Sequence, residues 1–363
     1  MRPTCRRREE YDYIVIGGGT AGCPLAANSI GRNTLSLVLE RGGAPETQPN
    51  VLSMINAGFY TERTTNFSPS RASIGIWIAV EKASYQWVEE TIVFHPSSLA
   101  VWQSAFQRSL SGSRRCSGQR VRLDHVVGTK VSGSIFDELG RDRSRGVANG
   151  GNLRNLRVAL HAVVEKIIFS TVSSSKPSAV GVIYSDVNGK FHRALVRDKG
   201  EIILSAGAIG SPQLLLLSGV GSESYLSSLT FRLFPPPAST EVSIATIAEK
   251  TTRLLSHGSL RLSSPNEAKP PRLSDSTTFP ILLTFLDASR APTVKLVGRF
   301  VGKDYCQSTV TTFWHYHGGC LVGKVVDGDF RVMGINSLRV VDGSTFTISP
   351  GTNPQATLMM LGR

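Results

Sequence analysis

The sequence predicts a mixed α/β fold, and three observations predict it. Residues 11–16, Tyr-Asp-Tyr-Ile-Val-Ile, are an aromatic and β-branched run that reads as a buried strand. Gly17-Gly18-Gly19-Thr20-Ala21-Gly22 follows at once and opens an Ala-rich helix to Asn28, after which residues 35–39, Leu-Ser-Leu-Val-Leu, form a second strand. A strand, a helix and a strand at this spacing start a parallel sheet. Farther along, residues 158–169 and 180–184 alternate in the antiparallel manner, so both kinds of pairing are expected.

The remaining elements follow in order. Residues 44–150 are broken by turn formers and yield no clear element. Residues 201–206 are another buried strand, leading into a Gly-Ser-Pro turn and a helix over 213–218. From 234 to 292 Pro, Ser and Thr dominate, with Pro235-Pro236-Pro237 and Pro270-Pro271 as breaks. Regular structure resumes near Val310, and no internal repeat is visible.

Composition narrows the function classes. A chain of 363 residues has room for about two domains. Forty Lys+Arg against 27 Asp+Glu give 40 − 27 = +13, and residues 108–122 are locally basic. No helix-turn-helix, zinc-finger or RRM pattern accompanies that charge, so it reads as solubility and affinity for anionic ligands rather than nucleic-acid binding. Apolar runs such as Leu214-Leu215-Leu216-Leu217 fall far short of the roughly 18 residues a membrane helix needs. Cys5, Cys23, Cys116, Cys306 and Cys320 contain no C-x-x-C pair, which argues against a disulfide scaffold or a zinc site. Residues 1–10 are basic, with no apolar stretch of the secretory kind. Asn66-Phe67-Ser68 is a glycosylation sequon that matters only in a secreted chain, and location stays open.

The first βα turn carries the clearest chemistry. Gly17-x-Gly19-x-x-Gly22 lies between a strand and a helix. The first glycine allows the tight turn, the second a close approach of backbone to pyrophosphate, and the third close helix–strand packing. The helix N-terminus supplies free N–H groups for the phosphate. Glu40 ends the second strand 40 − 22 = 18 residues past Gly22, near the spacing of about 20 expected for a ribose-binding acid. An acid there favours FAD or NAD over NADP.

The run from Gly207 to Gly221, Gly-Ala-Ile-Gly-Ser-Pro-Gln-Leu-Leu-Leu-Leu-Ser-Gly-Val-Gly, resembles the second signature of the glucose–methanol–choline (GMC) flavin oxidoreductases. Asn56-Ala57-Gly58-Phe59-Tyr60 is similar to the tail of the first signature. Residues 313–323, Phe-Trp-His-Tyr-His-Gly-Gly-Cys-Leu-Val-Gly, residues 342–346, Asp-Gly-Ser-Thr-Phe, and Asn353-Pro354-Gln355 resemble the plant branch of (R)-mandelonitrile lyase-like and HOTHEAD-like proteins. The resemblance implies FAD and two parts. A Rossmann-like FAD-binding domain is expected over 11–63, 155–230 and 305–363. A substrate domain on a mainly antiparallel sheet, incomplete here, is expected over 64–154 and 231–304. It also implies a monomer acting on a small alcohol or cyanohydrin.

Carried over by position, Thr20, Ala21, Glu40 and Arg41 would contact the ADP half of FAD, beside Gly17, Gly19 and Gly22. Asn56, Ala57, Gly58 and Phe59 would line the flavin, and Val164 would hold the adenine through its backbone. Trp314, Asp342, Gly343, Pro354 and Gln355 match further FAD-contacting positions, and Phe313 a substrate-side one. The resemblance makes His315 the catalytic histidine and Asn353 the second catalytic position, while His317 reads as structural. Imidazole, with an ordinary pKa of about 6.5, suits a base that takes an alcohol proton. Asn353 can donate to the same oxygen, and Asn before Pro354 suits a helix N-cap.

This chemistry favours FAD-dependent oxidation of a CH–OH group. Cyanohydrin cleavage with a redox-silent flavin is the alternative; lyases of the branch carry His where Asn353 stands and Tyr where Phe313 stands. The chain also departs from the family. The Gly-Gly-x-Ser loop and long helical stretch expected before Asn56 are missing, residues 227–237 replace an Asp-Asn-Pro-type segment, and the sequence stops at Leu361-Gly362-Arg363 in the first turns of the last helix. A third expectation is therefore a shortened, non-catalytic relative that binds FAD poorly or not at all.

Overall fold

The computed structural model describes residues 10–29, 34–43, 60–61, 74–95, 104, 133–135, 153–170, 176–222, 259–262, 272–274, 315–348 and 354–363. Strand β1 (Glu10–Ile16) runs into helix α1 (Gly22–Ser29) and strand β2 (Ser36–Leu39). A two-residue strand β3 (Tyr60–Thr61) pairs with β4 (Gly133–Ser134), and between them lies helix α2 (Ile74–Thr91). Strands β5 (Leu156–Ala159), β6 (Val163–Ser170), β7 (Ser178–Ser185) and β8 (Phe191–Leu204) precede helix α3 (Gly207–Leu217). Then come the ladder of β9 (Ser259–Arg261) and β10 (Arg272–Ser274), strand β11 (Leu338–Val340) and helix α4 (Gln355–Gly362).

Seven strands form one mixed sheet. β5, β2, β1, β8 and β11 are parallel neighbours, with Ile14 opposite Ile202 and Leu338 opposite Ile202 on its other side. The other half is an antiparallel meander of β6, β7 and β8. The 14-residue β8 belongs to both halves. It pairs with β7 through its first residues and with β11 through its last. Between them its register against β1 jumps, from Tyr11–Val196 to Tyr13–Glu201. Gly200 is required at that bulge, because a Cβ there would stand 2.8 Å from the Asp12 carbonyl.

Both faces of the parallel half are covered. Val15 and Val38 pack on Ala26 of α1, whereas Ile14, Ile16, Leu37 and Leu39 face the main core with Ile167, Val182, Ile202, Leu204 and Leu338. A smaller core joins Tyr85, Val88 and Ile92 of the α2 region to Ala356 and Met359 of α4. Tyr85 Oη and Thr357 Oγ1 share a buried hydrogen bond of 2.8 Å there.

The mixed α/β class stands, with three local differences. Helix α2 lies in the stretch where no element was expected. It opens Ile-Gly-Ile-Trp-Ile, residues of modest helix propensity, and its helical spacing shows only in Tyr85, Val88 and Ile92. Residues 158–169 are two strands, not one: β5 is parallel to β2, and the chain turns at His161, whose φ is +53°. Amides of His161 and Ala162 donate to the Gly42 and Glu40 carbonyls, wrapping the turn around the end of β2. Finally, the Gly-Ser-Pro expected as a turn lies inside α3, with Pro212 as its sixth residue.

Helix α4 crosses α1 at van der Waals limits. A Cβ on Gly362 would lie 2.1 Å from the Ala21 carbonyl oxygen. Gly362→Ala should therefore lower stability by about 1–3 kcal/mol, the range of overpacked interiors. Urea unfolding should show a lower midpoint at an unchanged slope; an unshifted midpoint would mean the helices part freely.

Candidate functional site

One end of the parallel sheet gathers most of the described site residues. At the end of β1 the Gly17 amide donates to Leu39 O at 2.9 Å, and the Ser205 amide donates to Ile16 O at 2.8 Å. Gly17 has φ +99°, and a Cβ on it would sit 2.4 Å from Ser205 O. A Cβ on Gly22 would sit 2.0 Å from Gly17 O, so the first and third glycines are imposed by backbone contact. The second differs: a Cβ on the exposed Gly19 would meet nothing within 4 Å. The space in front of the loop is open, as a phosphate would need. Amides of Gly19, Thr20, Ala21 and Gly22 find no acceptor among the described residues, and they point from a helix N-terminus.

Glu40 closes this loop from the β2 side. Its Oε2 accepts from the Gly18 amide at 2.7 Å and its Oε1 from the Gly42 amide at 2.6 Å. A carboxylate offers about four acceptor positions, so among the described residues roughly two remain for a ligand's hydroxyls. The Glu40 amide donates to Ala159 O, and its carbonyl accepts from Ala162, two residues before Val164. Val164 lies in β6 opposite Tyr184 with its side chain in the core, which leaves its backbone as the contacting part. Arg41 is exposed beside Glu40. Cys23 Sγ donates to Gly18 O at 2.9 Å; burial raises its thiol pKa, and the Glu40 carboxylate adds to the rise.

The second cluster centres on Asp342, only 3% exposed. Its Oδ1 accepts from the Ser344 amide at 2.9 Å and the Ser344 hydroxyl at 2.6 Å. Its Oδ2 accepts from the Gly207 amide at 3.0 Å and the Ser211 hydroxyl at 2.5 Å. Burial pushes the carboxyl above its usual range, against these hydrogen bonds, which pull it down. The Ser205 hydroxyl donates to Val341 O at 3.0 Å, joining this turn to the glycine loop's neighbour. The 3₁₀ turn Gly343–Thr345 then holds the segment after His315: amides of Gly318, Cys320 and Val322 donate to the Gly343, Ser344 and Thr345 carbonyls. His315 is half-buried with Nδ1 buried, and its carbonyl accepts from His317 Nδ1 at 3.4 Å. Amides of Asp342 and Gly343 find no acceptor among the described residues.

Sequence reasoning named Asp342 and the run Gly207–Ser211 separately and did not pair them. The signal was present as a buried Asp with Ser two residues on, a pattern in which the side chain bonds its own turn. Pro354 precedes α4 with φ −77°, and the helix begins at Gln355 rather than at Pro354. Asn353, Trp314, Phe313 and Asn56, Ala57, Gly58 and Phe59 lie outside the described residues. Among the described residues no group of three or more His, Cys, Asp or Glu could hold a metal, and no helix is long and apolar enough to cross a membrane.

An open glycine loop with helix N–H groups, a carboxylate beside it at Glu40 with two acceptor positions unused among the described residues, and two further buried amides together fit a dinucleotide such as FAD. The comparisons agree. Profiles of the family described as GMC oxidoreductase match residues 143–237 and 298–362. A protein named (R)-mandelonitrile lyase-like from Arabidopsis thaliana is 36% identical over 97% of this chain and 88% of its own length. A protein named sinalpyl alcohol oxidase Nec3 from Nesocodon mauritianus is 36% identical over 98% of this chain and 88% of its own. The first alignment spans 490 positions against 363 residues here, so at least 490 − 363 = 127 positions have no counterpart in this chain. Among solved structures, pyridoxine 4-oxidase from Mesorbium loti shares the fold with a TM-score of 0.67 at 15% identity, over 97% of this chain and 98% of that one.

Cys320 lies fully buried against the Asp342 turn, and burial pushes its thiol up to about 12, the Asp342 charge adding to the rise and a Ser344 hydrogen bond opposing it. The unfolded thiol ionises near 8.5–9, so on this account the native state keeps its proton over a window where the unfolded chain has lost it. Stability from this thiol is thus fully present below about pH 9 and falls as pH rises toward 12, by up to about 1.4 kcal/mol per unit. Urea midpoints between pH 8 and 11 should fall more steeply for the native chain than for Cys320→Ala; parallel curves would clear the thiol.

Proposed function

The chain belongs to the GMC oxidoreductase family, and from that premise we propose that it is an FAD-dependent oxidoreductase acting on the CH–OH group of a small alcohol. The observation that carries this reading is the docking of the His315 segment onto the Asp342 turn, at the same sheet end as the glycine loop and Glu40. Gly17, Gly19, Thr20, Ala21, Gly22, Glu40 and Arg41 would hold the ADP half, with Val164 beside them. Asn56, Ala57, Gly58, Phe59, Trp314, Gly343, Pro354 and Gln355 would surround the flavin, and Phe313 the substrate. When bound, FAD supplies the hydride acceptor.

His315 takes the proton of the alcohol hydroxyl. With Nδ1 buried, Nε2 would be the nitrogen that takes the proton. Asn353 donates to the same oxygen as negative charge grows on it, a role that an amide fills without titrating. It stands immediately before Pro354, where the α4 N-terminus also favours that charge. We propose a monomer.

Cyanohydrin cleavage is the second reading, favoured by the (R)-mandelonitrile lyase-like relative, which is as similar as the alcohol oxidase. There the same His315 would take the cyanohydrin proton. Asparagine at 353 argues against it, because it cannot become the cation or acid that meets departing cyanide.

Titrating the purified protein with FAD should give flavin absorption bands that co-elute with protein. An aromatic alcohol should then bleach them under nitrogen. His315→Ala should keep the bands and cut the bleaching rate by about 10²–10⁴, the usual worth of a general base. Protein that takes up no FAD would overturn both enzyme readings in favour of a non-catalytic relative. Asn353→His separates the two enzymes: oxidation predicts weaker bleaching with no gain in mandelonitrile cleavage, whereas a large gain in cleavage would reveal a lyase pocket.

A further inference from the structure

We propose that the Asp342 carboxylate is a positioning residue that holds His315 through the turn beside it, and is not itself a ligand of the cofactor; the inference rests on the FAD-dependent reading above. Its acceptor capacity decides the matter. About four acceptor positions exist on a carboxylate. All are taken by protein donors: the Ser344 amide and hydroxyl on Oδ1, the Gly207 amide and Ser211 hydroxyl on Oδ2. Glu40, by contrast, uses only two of its positions among the described residues, on Gly18 and Gly42. A ligand hydroxyl can join Glu40 without displacing anything, but at Asp342 it would have to break a buried bond. What position 342 can offer a cofactor is its amide, together with that of Gly343.

The clamp has two arms, and both reach the histidine segment. Oδ1 shapes the Gly343–Thr345 turn, whose carbonyls receive the amides of Gly318, Cys320 and Val322. Oδ2 fixes Gly207 and Ser211, the start of α3. That helix touches the same segment, since a Cβ on Gly319 would come within 3.0 Å of the Pro212 ring. The backbone of Tyr316 passes close to Gly343, where a Cβ would lie 3.5 Å from its carbonyl oxygen. His315 is therefore three residues from a chain held on two sides by one buried charge. A shift of about 1 Å in a catalytic group can cost about 10²-fold in rate, so the clamp matters to chemistry without touching substrate.

Asp342→Asn tests this. Whichever way the new amide turns, its NH₂ faces a backbone N–H, of Ser344 or of Gly207, that cannot reverse, so one arm must break. The expected result is FAD affinity within about 3-fold of native, kcat lowered at least 30-fold with KM little changed, and faster amide hydrogen exchange confined to residues 315–322. FAD affinity that collapses while exchange over 315–322 stays native would overturn the proposal and make the carboxylate a cofactor ligand. If Asp342→Asn does not fold, Ser344→Ala removes a single bond of one arm; exchange over 315–322 rising in that variant supports the clamp, and native exchange there sinks it. Exchange is read without turnover. Should the native protein bleach with no alcohol and cleave no cyanohydrin, the functional reading fails while the clamp is still judged by exchange.

Discussion

The whole site depends on a place where the chain has no room for side chains. At the end of β1 three backbone segments converge, and Cβ atoms on Gly17 or Gly22 would stand 2.4 and 2.0 Å from carbonyl oxygens. Those distances are below any van der Waals contact, so glycine is a steric condition of the turn. The convergence lets α1 start directly at the sheet, which leaves its first amides facing outward. Because Ser205 bonds both Ile16 and Val341, the same convergence brings the end of β8 and the Asp342 turn alongside. The glycine loop and the segment that begins at His315, 315 − 17 = 298 residues apart in sequence, thus become neighbours of one strand end.

β8 makes that neighbourhood rigid. Its last residues lie between β1 and β11, and its first residues carry the antiparallel meander. The bulge beside Asp12, with Lys199 at φ +66°, changes the twist between the two uses, and the Arg197–Asp12 ion pair of 3.0 Å spans it. That pair is partly exposed and contributes little by itself. Burial does more: Ile202 and Leu204 are fully enclosed with β1 on one side and β11 on the other.

Legibility followed the range of the forces involved. Local steric rules made the glycine loop, β1, β2 and the acid at 40 readable, because a strand running into three spaced glycines has few other uses. The paired carboxylate at 342 was half readable. Its own turn, Asp-x-Ser, is local, but Gly207 and Ser211 lie more than 130 residues away and reach it only through the sheet. Helix α2 escaped because its identity comes from packing on α4, visible only in the spacing of Tyr85, Val88 and Ile92. The break between β5 and β6 escaped for a similar reason. Alternation continues across residues 158–169, and only hydrogen bonds to Glu40 and Gly42 reveal the turn.

The two buried or half-buried acids show why residue type alone does not assign a role. Glu40 and Asp342 both follow strands of the parallel half, at the same sheet end. Their surroundings separate them. Glu40 is partly open and bonded to two glycine amides, with no further donor among the described residues. Asp342 is enclosed and saturated, and burial raises its pKa even against those hydrogen bonds. Removing any one donor would leave a buried acceptor unsatisfied, at about 1–3 kcal/mol, so the four bonds hold one another in place. A charge arranged in that way stabilises a single geometry of its neighbours. The segment it holds begins three residues from His315, so in the role proposed for it Asp342 would act on the reaction through position alone.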